Sequence, residues 1–314
     1  MSERKAVVLT GGPVIAVIAE MGIDESGVEE MARWVADRRP ACLPEQTLKY
    51  LGPDYEHSFD FSDLFPHAMT RSGRPLEEVV EDDDVDGAIG DIITGNELLV
   101  ELAGRKCYDS FGLKAGRKTN AEYIAHTQQG DIPHASIMYH AKMTFFFAGI
   151  SRRVSHELIR NYVGADRDEE GSPSQESTRY VEHAGRYIAH PGDLEDEDEV
   201  AQFGDDMDLN YRLYLSYIKR RVWKFEAKQG KPPTQMDRKR IYEAASARLS
   251  HSCETSWIWT TNPIALAKMI RERANAAADL EFQRFAKKLA HVCVKRWPNL
   301  FPQPWVLEAA KGAL

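Results

Sequence analysis

Cysteine is scarce and scattered in this sequence. Cys42, Cys107, Cys253 and Cys293 form no CxxC pair, which argues against a zinc ribbon or a thioredoxin-like redox motif and fits the reduced thiols of a cytoplasmic protein. No apolar run is long enough to span a membrane, so no membrane partner is expected. Residues 1–22 offer a basic end and apolar residues, but Thr10, Gly11, Gly12 and Pro13 interrupt them where a signal peptide needs a continuous stretch. Positive charge is also short: 40 Lys and Arg against 49 Asp and Glu give a net charge of -9, with no broad footprint for nucleic acid. A bound phosphate must therefore meet a local cluster of arginines. The turn Gly11-Gly12-Pro13 has neither the GxGxxG nor the GxxxxGK spacing that arranges backbone amides around phosphates.

What is present is an ordinary globular balance of 43% hydrophobic and 28% charged residues over 314 positions, enough for one large domain or two smaller ones. The pattern predicts a first strand over Ala6 to Leu9, a polar helix near Ser26 to Ala36, and a Pro-rich stretch closed by the acidic run Glu77 to Asp86. Leu98, Leu99 and Leu102 predict a helix from Asn96 that ends near Cys107. Phe145, Phe146 and Phe147 mark a strand within His140 to Ile150 that Gly149 terminates, and Ser151 then caps a helix on which Glu157 and Arg160 share a face. A second acidic run, Asp193 to Glu199, precedes a long helix with Met207, Tyr211, Tyr214, Ile218 and Val222 on its apolar side. Thr234 caps another helix, and Asn262-Pro263 open a last long helical region that runs through Arg273 and Phe285 towards Pro298.

The segment from Ser151 to Tyr180 concentrates the polar chemistry. It holds Arg160, Gln175, Ser177 and Arg179 on one helix and the loop after it, a set suited to gripping a phosphorylated, hydrogen-bonding ligand. Taken singly, each arginine is more simply a surface ion pair, and so are Arg248 and Arg273. His134 and His140 lack further ligands at zinc spacing, so no metal is expected. Cys253 lies near His251, but neighbours in sequence are poor evidence for a nucleophile and its base, which normally meet through the fold.

Four segments in order, HASIMYH, SRRVSHELIR, SPSQESTRY and NPIALAKMIRER, resemble the signature segments of flavin-dependent thymidylate synthases. The resemblance spans about Glu97 to Pro302. It implies an α/β (α+β) fold with a central sheet and long helices, in a homotetramer whose active sites are shared between chains. It divides the chain into an amino-terminal elaboration, residues 1–95, and a catalytic domain, residues 96–314. It implies FAD as cofactor, NADPH and methylenetetrahydrofolate as cosubstrates, and dUMP as the nucleotide methylated at C5. Carried over by position, Arg273 is the catalytic residue that polarises the pyrimidine. Glu157, Arg160, Gln175, Glu176, Ser177, Thr178 and Arg179 fall on substrate-binding positions, with Arg248 two residues out of register. His134, Ser136, Arg160, Asn161, Tyr162, Ser174, Asn262 and Lys268 fall on positions facing the flavin.

Departures from the family pattern cluster. The Arg-His-Arg triplet is here Arg160-Asn161-Tyr162, Tyr139 and Asp279 replace the usual glutamate and glutamine, and Val163 to Gly171 lengthen the connection to the substrate loop. An enlarged loop beside the sugar suggests that UMP is accepted as well as dUMP, like the uridylate methylases of nucleoside-antibiotic pathways. The residues leave open a methylase restricted to dUMP, a flavin- or nucleotide-binding paralogue without catalysis, and an enzyme that uses Cys253 as nucleophile.

Overall fold

The computed structural model describes residues 5–22, 92–108, 110, 118–128, 134–162 and 172–313. The expected helix near Ser26, the acidic run at Glu77 and the enlarged loop at Val163 lie outside the described residues.

Two sheets and eight helices carry the described fold. In chain order they are β1 (Val7–Leu9), β2 (Val14–Glu20), α1 (Gly95–Tyr108), α2 (Asn120–Thr127), β3 (Met143–Ser151), α3 (Arg152–Tyr162), β4 (Ser172–Gln175), β5 (Arg186–Ile188), α4 (Glu197–Gln229), α5 (Gln235–Ser246), β6 (Glu254–Thr261), α6 (Pro263–Arg273), α7 (Leu280–Arg296) and α8 (Pro304–Lys311). The central sheet has the order β2-β3-β6-β4, antiparallel throughout, while β1 pairs with β5 in parallel. The architecture is thus α+β, as the resemblance implied.

Strand alternation builds the core. Met143, Phe145 and Phe147 of β3, with Trp257 and Trp259 of β6, point to one face and are buried against Phe285, Leu289 and Trp297. Phe147 meets Phe285 edge-on at 5.0 Å, and Phe145 meets Trp297 at 5.9 Å. On the other face Thr144 and Thr260 join through their hydroxyls at 2.9 Å. A second cluster, around Tyr187, Tyr211, Tyr214 and Ile218, packs α4 and α5 onto β5. The apolar face read from the α4 sequence is the buried one.

Several elements differ from the sequence reading. Residues Ala135–His140 form a 3-10 helix, so the strand begins at Met143. Gly149 does not end β3: with φ 67° it makes a bulge, and pairing with β6 resumes at Ile150 and Ser151. Ser151 caps as expected, its Oγ accepting from Val154 N at 3.3 Å. The acidic run enters α4, where Asp196 caps and Glu197 to Glu199 make the first turn. The last helical region is two helices, because Asn275 Nδ2 donates to the Glu272 carbonyl at 2.6 Å while Asp279 Oδ1 accepts from Glu281 N and Phe282 N. That break leaves Arg273 on the final turn of α6.

Candidate active site

The beginnings of α3 and α7 are locked together by one buried carboxylate. Ser151 N and Oγ both donate to Glu281 at 2.7 Å, and Arg153 Nη2 adds a third bond at 2.9 Å. The loop before β6 closes the same helix end, since Arg152 N and Arg153 N donate to the carbonyls of Cys253 and His251. With α3 and α7 so fixed, α6 delivers Arg273 between them. Arg273 Nη1 lies 3.3 Å from Glu157 Oε2 on α3, and its guanidinium lies 5.2 Å over the ring of Phe282 on α7. The arginine side chain is 23% exposed and Glu157 34%, so the pair is only partly buried.

β4 brings the polar loop beside α3. Gln175 Nε2 donates to Ser155 Oγ at 2.8 Å and to Thr255 Oγ1 at 3.1 Å, anchoring the end of the strand. Glu176 N donates to the Ser256 carbonyl, and the Glu176 carbonyl accepts from Arg152 Nη2 at 2.8 Å. The chain then turns at Ser177, whose carbonyl accepts from Tyr180 N and Val181 N and whose Oγ accepts from Arg179 N at 3.3 Å. Thr178 is half-buried in this turn. Arg179 is exposed and lies 3.5 Å from Glu243 on α5. Arg160 is exposed one turn after Glu157, and Asn161 and Tyr162 end α3.

Other positions are engaged elsewhere. Arg248 stacks 3.7 Å over the Tyr217 ring and donates from Nη1 to the Ala244 carbonyl, contacts that belong to the α4 and α5 pair. Asn262 is buried and caps α6, its Oδ1 accepting from Ala265 N at 3.0 Å. His134, half-buried, meets Tyr108 edge-on with ring centres 5.6 Å apart. Ser136, Ser174 and Lys268 are exposed, Ser174 facing outward on β4 opposite Ile258. Cys253 is fully buried, and burial pushes its thiol up, away from the thiolate a nucleophile needs.

The sequence reading passed over Arg152, Ser155, Thr255 and Glu281, which position the loop and α7. Arg152 and Ser155 fall three apart on the first turn of α3, a spacing that announces a shared face but not what it touches. Glu281 carries no local signal, because its partners lie 128 and 130 positions away.

A family model described as thymidylate synthase complementing protein matches residues 90–299, a span that includes every candidate site residue. A flavin-dependent thymidylate synthase of Mycolicibacterium vanbaalenii is 35% identical over 222 residues, covering 69% of this chain and 83% of that protein. One from Mycobacterium leprae is 35% identical over 211 residues, covering 66% and 78%. A crystal structure of flavin-dependent thymidylate synthase ThyX from Helicobacter pylori, complexed with FAD and dUMP, aligns over 62% of this chain and 88% of that one at 19% identity, with a TM-score of 0.43. A family match over two thirds of the sequence, with relatives a third identical across most of their length, places the chain in the flavin-dependent thymidylate synthase family.

Proposed function

We propose that the protein methylates C5 of uridylate, with dUMP and also UMP as nucleotides, methylenetetrahydrofolate as one-carbon donor, and FAD and NADPH as the redox pair. The observation that carries the reading is the meeting of Arg273 with Glu157 over Phe282, at the junction of α3, α6 and α7. A guanidinium in that position offers planar donors to the pyrimidine oxygens and favours the electron-rich form of the ring, which makes C5 the better carbon nucleophile. Glu157 holds the side chain in place until the base takes its share of the donors. Ser177 and Arg179 hold the phosphate, while Gln175, tied to Ser155 and Thr255, fixes the strand that presents them.

The residues at the flavin positions fit such a group. Ser136, Ser174, Lys268 and Arg160 are exposed and His134 is half-buried, together offering hydroxyls, an imidazole and cations to a phosphate-bearing cofactor, whereas the Asn262 side chain already caps α6. Bound there, FAD supplies the hydride that completes the methyl group. We further propose a homotetramer in which neighbouring subunits share each site. The UMP part is supported by the longer connection from Val163 to Gly171, and it turns on whether a buried group rejects the 2'-hydroxyl. Incubating the flavin-loaded protein with each nucleotide, folate and NADPH, and weighing the products, tests both parts. A 5-methyl product from dUMP alone removes the ribonucleotide claim, and none from either removes the reading.

A further inference from the structure

Two buried, charged side chains of α1 have no part in the site described above. Arg105 Nε and Nη2 each lie 2.6 Å from Glu101 Oε1, and both residues are buried. Asn120 of α2 donates from Nδ2 to Glu101 Oε2 at 2.8 Å, and the Arg105 guanidinium lies 4.5 Å over the ring of Tyr123 on the same helix. Burying such a pair adds little net stability, because desolvation offsets the attraction, but breaking it is costly, and here its bonds tie α1 to α2. The tie extends past the end of α1. The Arg105 carbonyl accepts from Ser110 N at 3.0 Å, and Arg105 Nη1 donates to the Ser110 carbonyl at 3.3 Å. The chain is therefore bonded to one buried arginine on both sides of Tyr108.

Tyr108 itself is 65% exposed, so an aromatic surface stands open on a fixed backbone. His134 beside it is held as firmly. Its N–H donates to the Thr127 carbonyl at 2.8 Å, and its own carbonyl accepts from Gln128 Nε2 at 3.2 Å, both at the end of α2. The two rings meet edge-on, with centres 5.6 Å apart and planes at 76°, and Tyr108 Oη lies 3.5 Å from His134 Nδ1. A neutral imidazole has one N–H and one lone pair, so the partner of one nitrogen decides what the other offers. Conjugation with its ring makes a phenol oxygen the better donor than acceptor. A phenol that donates to Nδ1 leaves the proton on Nε2.

We propose that Tyr108 is a further cofactor-binding residue, which acts on FAD in two ways. Its hydroxyl donates to His134 Nδ1, which fixes the tautomer and leaves Nε2–H as the donor to an acceptor oxygen of the cofactor. Its exposed ring lies against a planar ring of the same cofactor, a contact that Glu101 and Arg105 prepare by holding the end of α1 in place. The 3.5 Å contact is at the long end for a hydrogen bond, and it shortens once the bound cofactor presses on the two rings. The inference rests on the flavin positions proposed above, of which His134 is one, and adds a residue that the resemblance does not assign.

The test is the FAD affinity of the full chain, stripped of flavin and titrated with FAD while flavin fluorescence is followed, so that no turnover is needed. Tyr108→Ala is expected to raise Kd by about tenfold or more, the effect of a lost stacking surface. Tyr108→Phe keeps the ring and is expected to raise Kd by about threefold, the share of one hydrogen bond. His134→Gln keeps a donor near the Nε2 position, and adding Tyr108→Phe to it is expected to change Kd no further, because the hydroxyl acts through the imidazole. Thermal unfolding of each variant without flavin checks that it folds, and the near-isosteric Tyr108→Phe decides the matter if Tyr108→Ala does not. A parent that takes up no FAD would sink the flavin site and this inference together. A parent that binds FAD, with Tyr108→Ala and Tyr108→Phe binding it as tightly, or a Tyr108→Phe loss that persists in full beside His134→Gln, would overturn the role of Tyr108 alone.

Discussion

Two buried residues show how the site is supported one side chain at a time. Glu281 is 6% exposed and satisfied by three donors from the start of α3, so replacing it strands a backbone N–H, a hydroxyl and a guanidinium. Glu281→Ala is expected to cost about 3 kcal/mol in denaturant unfolding. It also loosens the α7 turn that sets Phe282 under Arg273, so turnover is expected to fall in the fraction that stays folded. His183 is 5% exposed, with its Nδ1 accepting from Gly185 N. Burial first, then the nearby Arg152 charge, lowers its pKa from 6.5 to about 4. A histidine kept neutral by the fold adds stability above 6.5 and loses it as pH falls towards 4, because the unfolded chain takes up the proton first. Unfolding followed between those limits is expected to show a loss of up to about 3 kcal/mol. The slope is expected to flatten in His183→Gln, and an unchanged slope would assign the pH dependence to other groups.

At the scale of elements, close approach matters more than propensity. Gly185 has φ 76°, and a Cβ there would stand 2.5 Å from the buried Tyr211 ring. Gly230, which ends α4 with φ 67°, would meet nothing within 4 Å. Gly185→Ala is therefore expected to cost about 3 kcal/mol, through strain and the displaced ring, and Gly230→Ala about 1 kcal/mol, through backbone strain alone. Equal thermal shifts in the two variants would contradict the packing of α4 on β5. Neither glycine is distinguishable in the sequence, since the ring that crowds Gly185 comes from a helix turn 26 positions away (211 − 185 = 26). Local signals were legible where the chain talks to itself. Thr234 caps its helix as read from the sequence, with Asp237 closing a reciprocal cap, and Tyr211, Tyr214 and Ile218 bury the face that their period suggested. The bulge at Gly149 and the break between α6 and α7 were not legible. Gly149 is read as a stop in one strand until the partner strand shows pairing on both sides, and Asn275 and Asp279 act as caps only once each helix has its own packing.

For the molecule as a whole, β2 is tied to the helix that carries Glu281 and Phe282. β2 is the edge strand of the central sheet, and its Glu20 accepts from the Trp297 indole at 2.6 Å and pairs with Arg296 at the end of α7. Lys288 of α7 reaches the Pro13 carbonyl on the same side. β2 and the turn before it therefore steady the helix that carries Glu281 and Phe282, a link that no sequence motif announces. Each ordered motif is a local stretch of sequence, whereas the meeting of Arg273 and Glu157 is a property of three helices crossing. Arg248, carried over two residues out of register, stacks on Tyr217 and donates to the Ala244 carbonyl.

The central claim is that Arg273, and not a cysteine, activates the pyrimidine. Product mass and rate with dUMP, methylenetetrahydrofolate, NADPH and FAD, compared for the parent, Arg273→Ala and Cys253→Ala, test it directly. The expected result is 5-methylated nucleotide from the parent and from Cys253→Ala, with turnover down by about 10²–10³-fold in Arg273→Ala. Loss of product on removing Cys253 while Arg273→Ala stays active would contradict it.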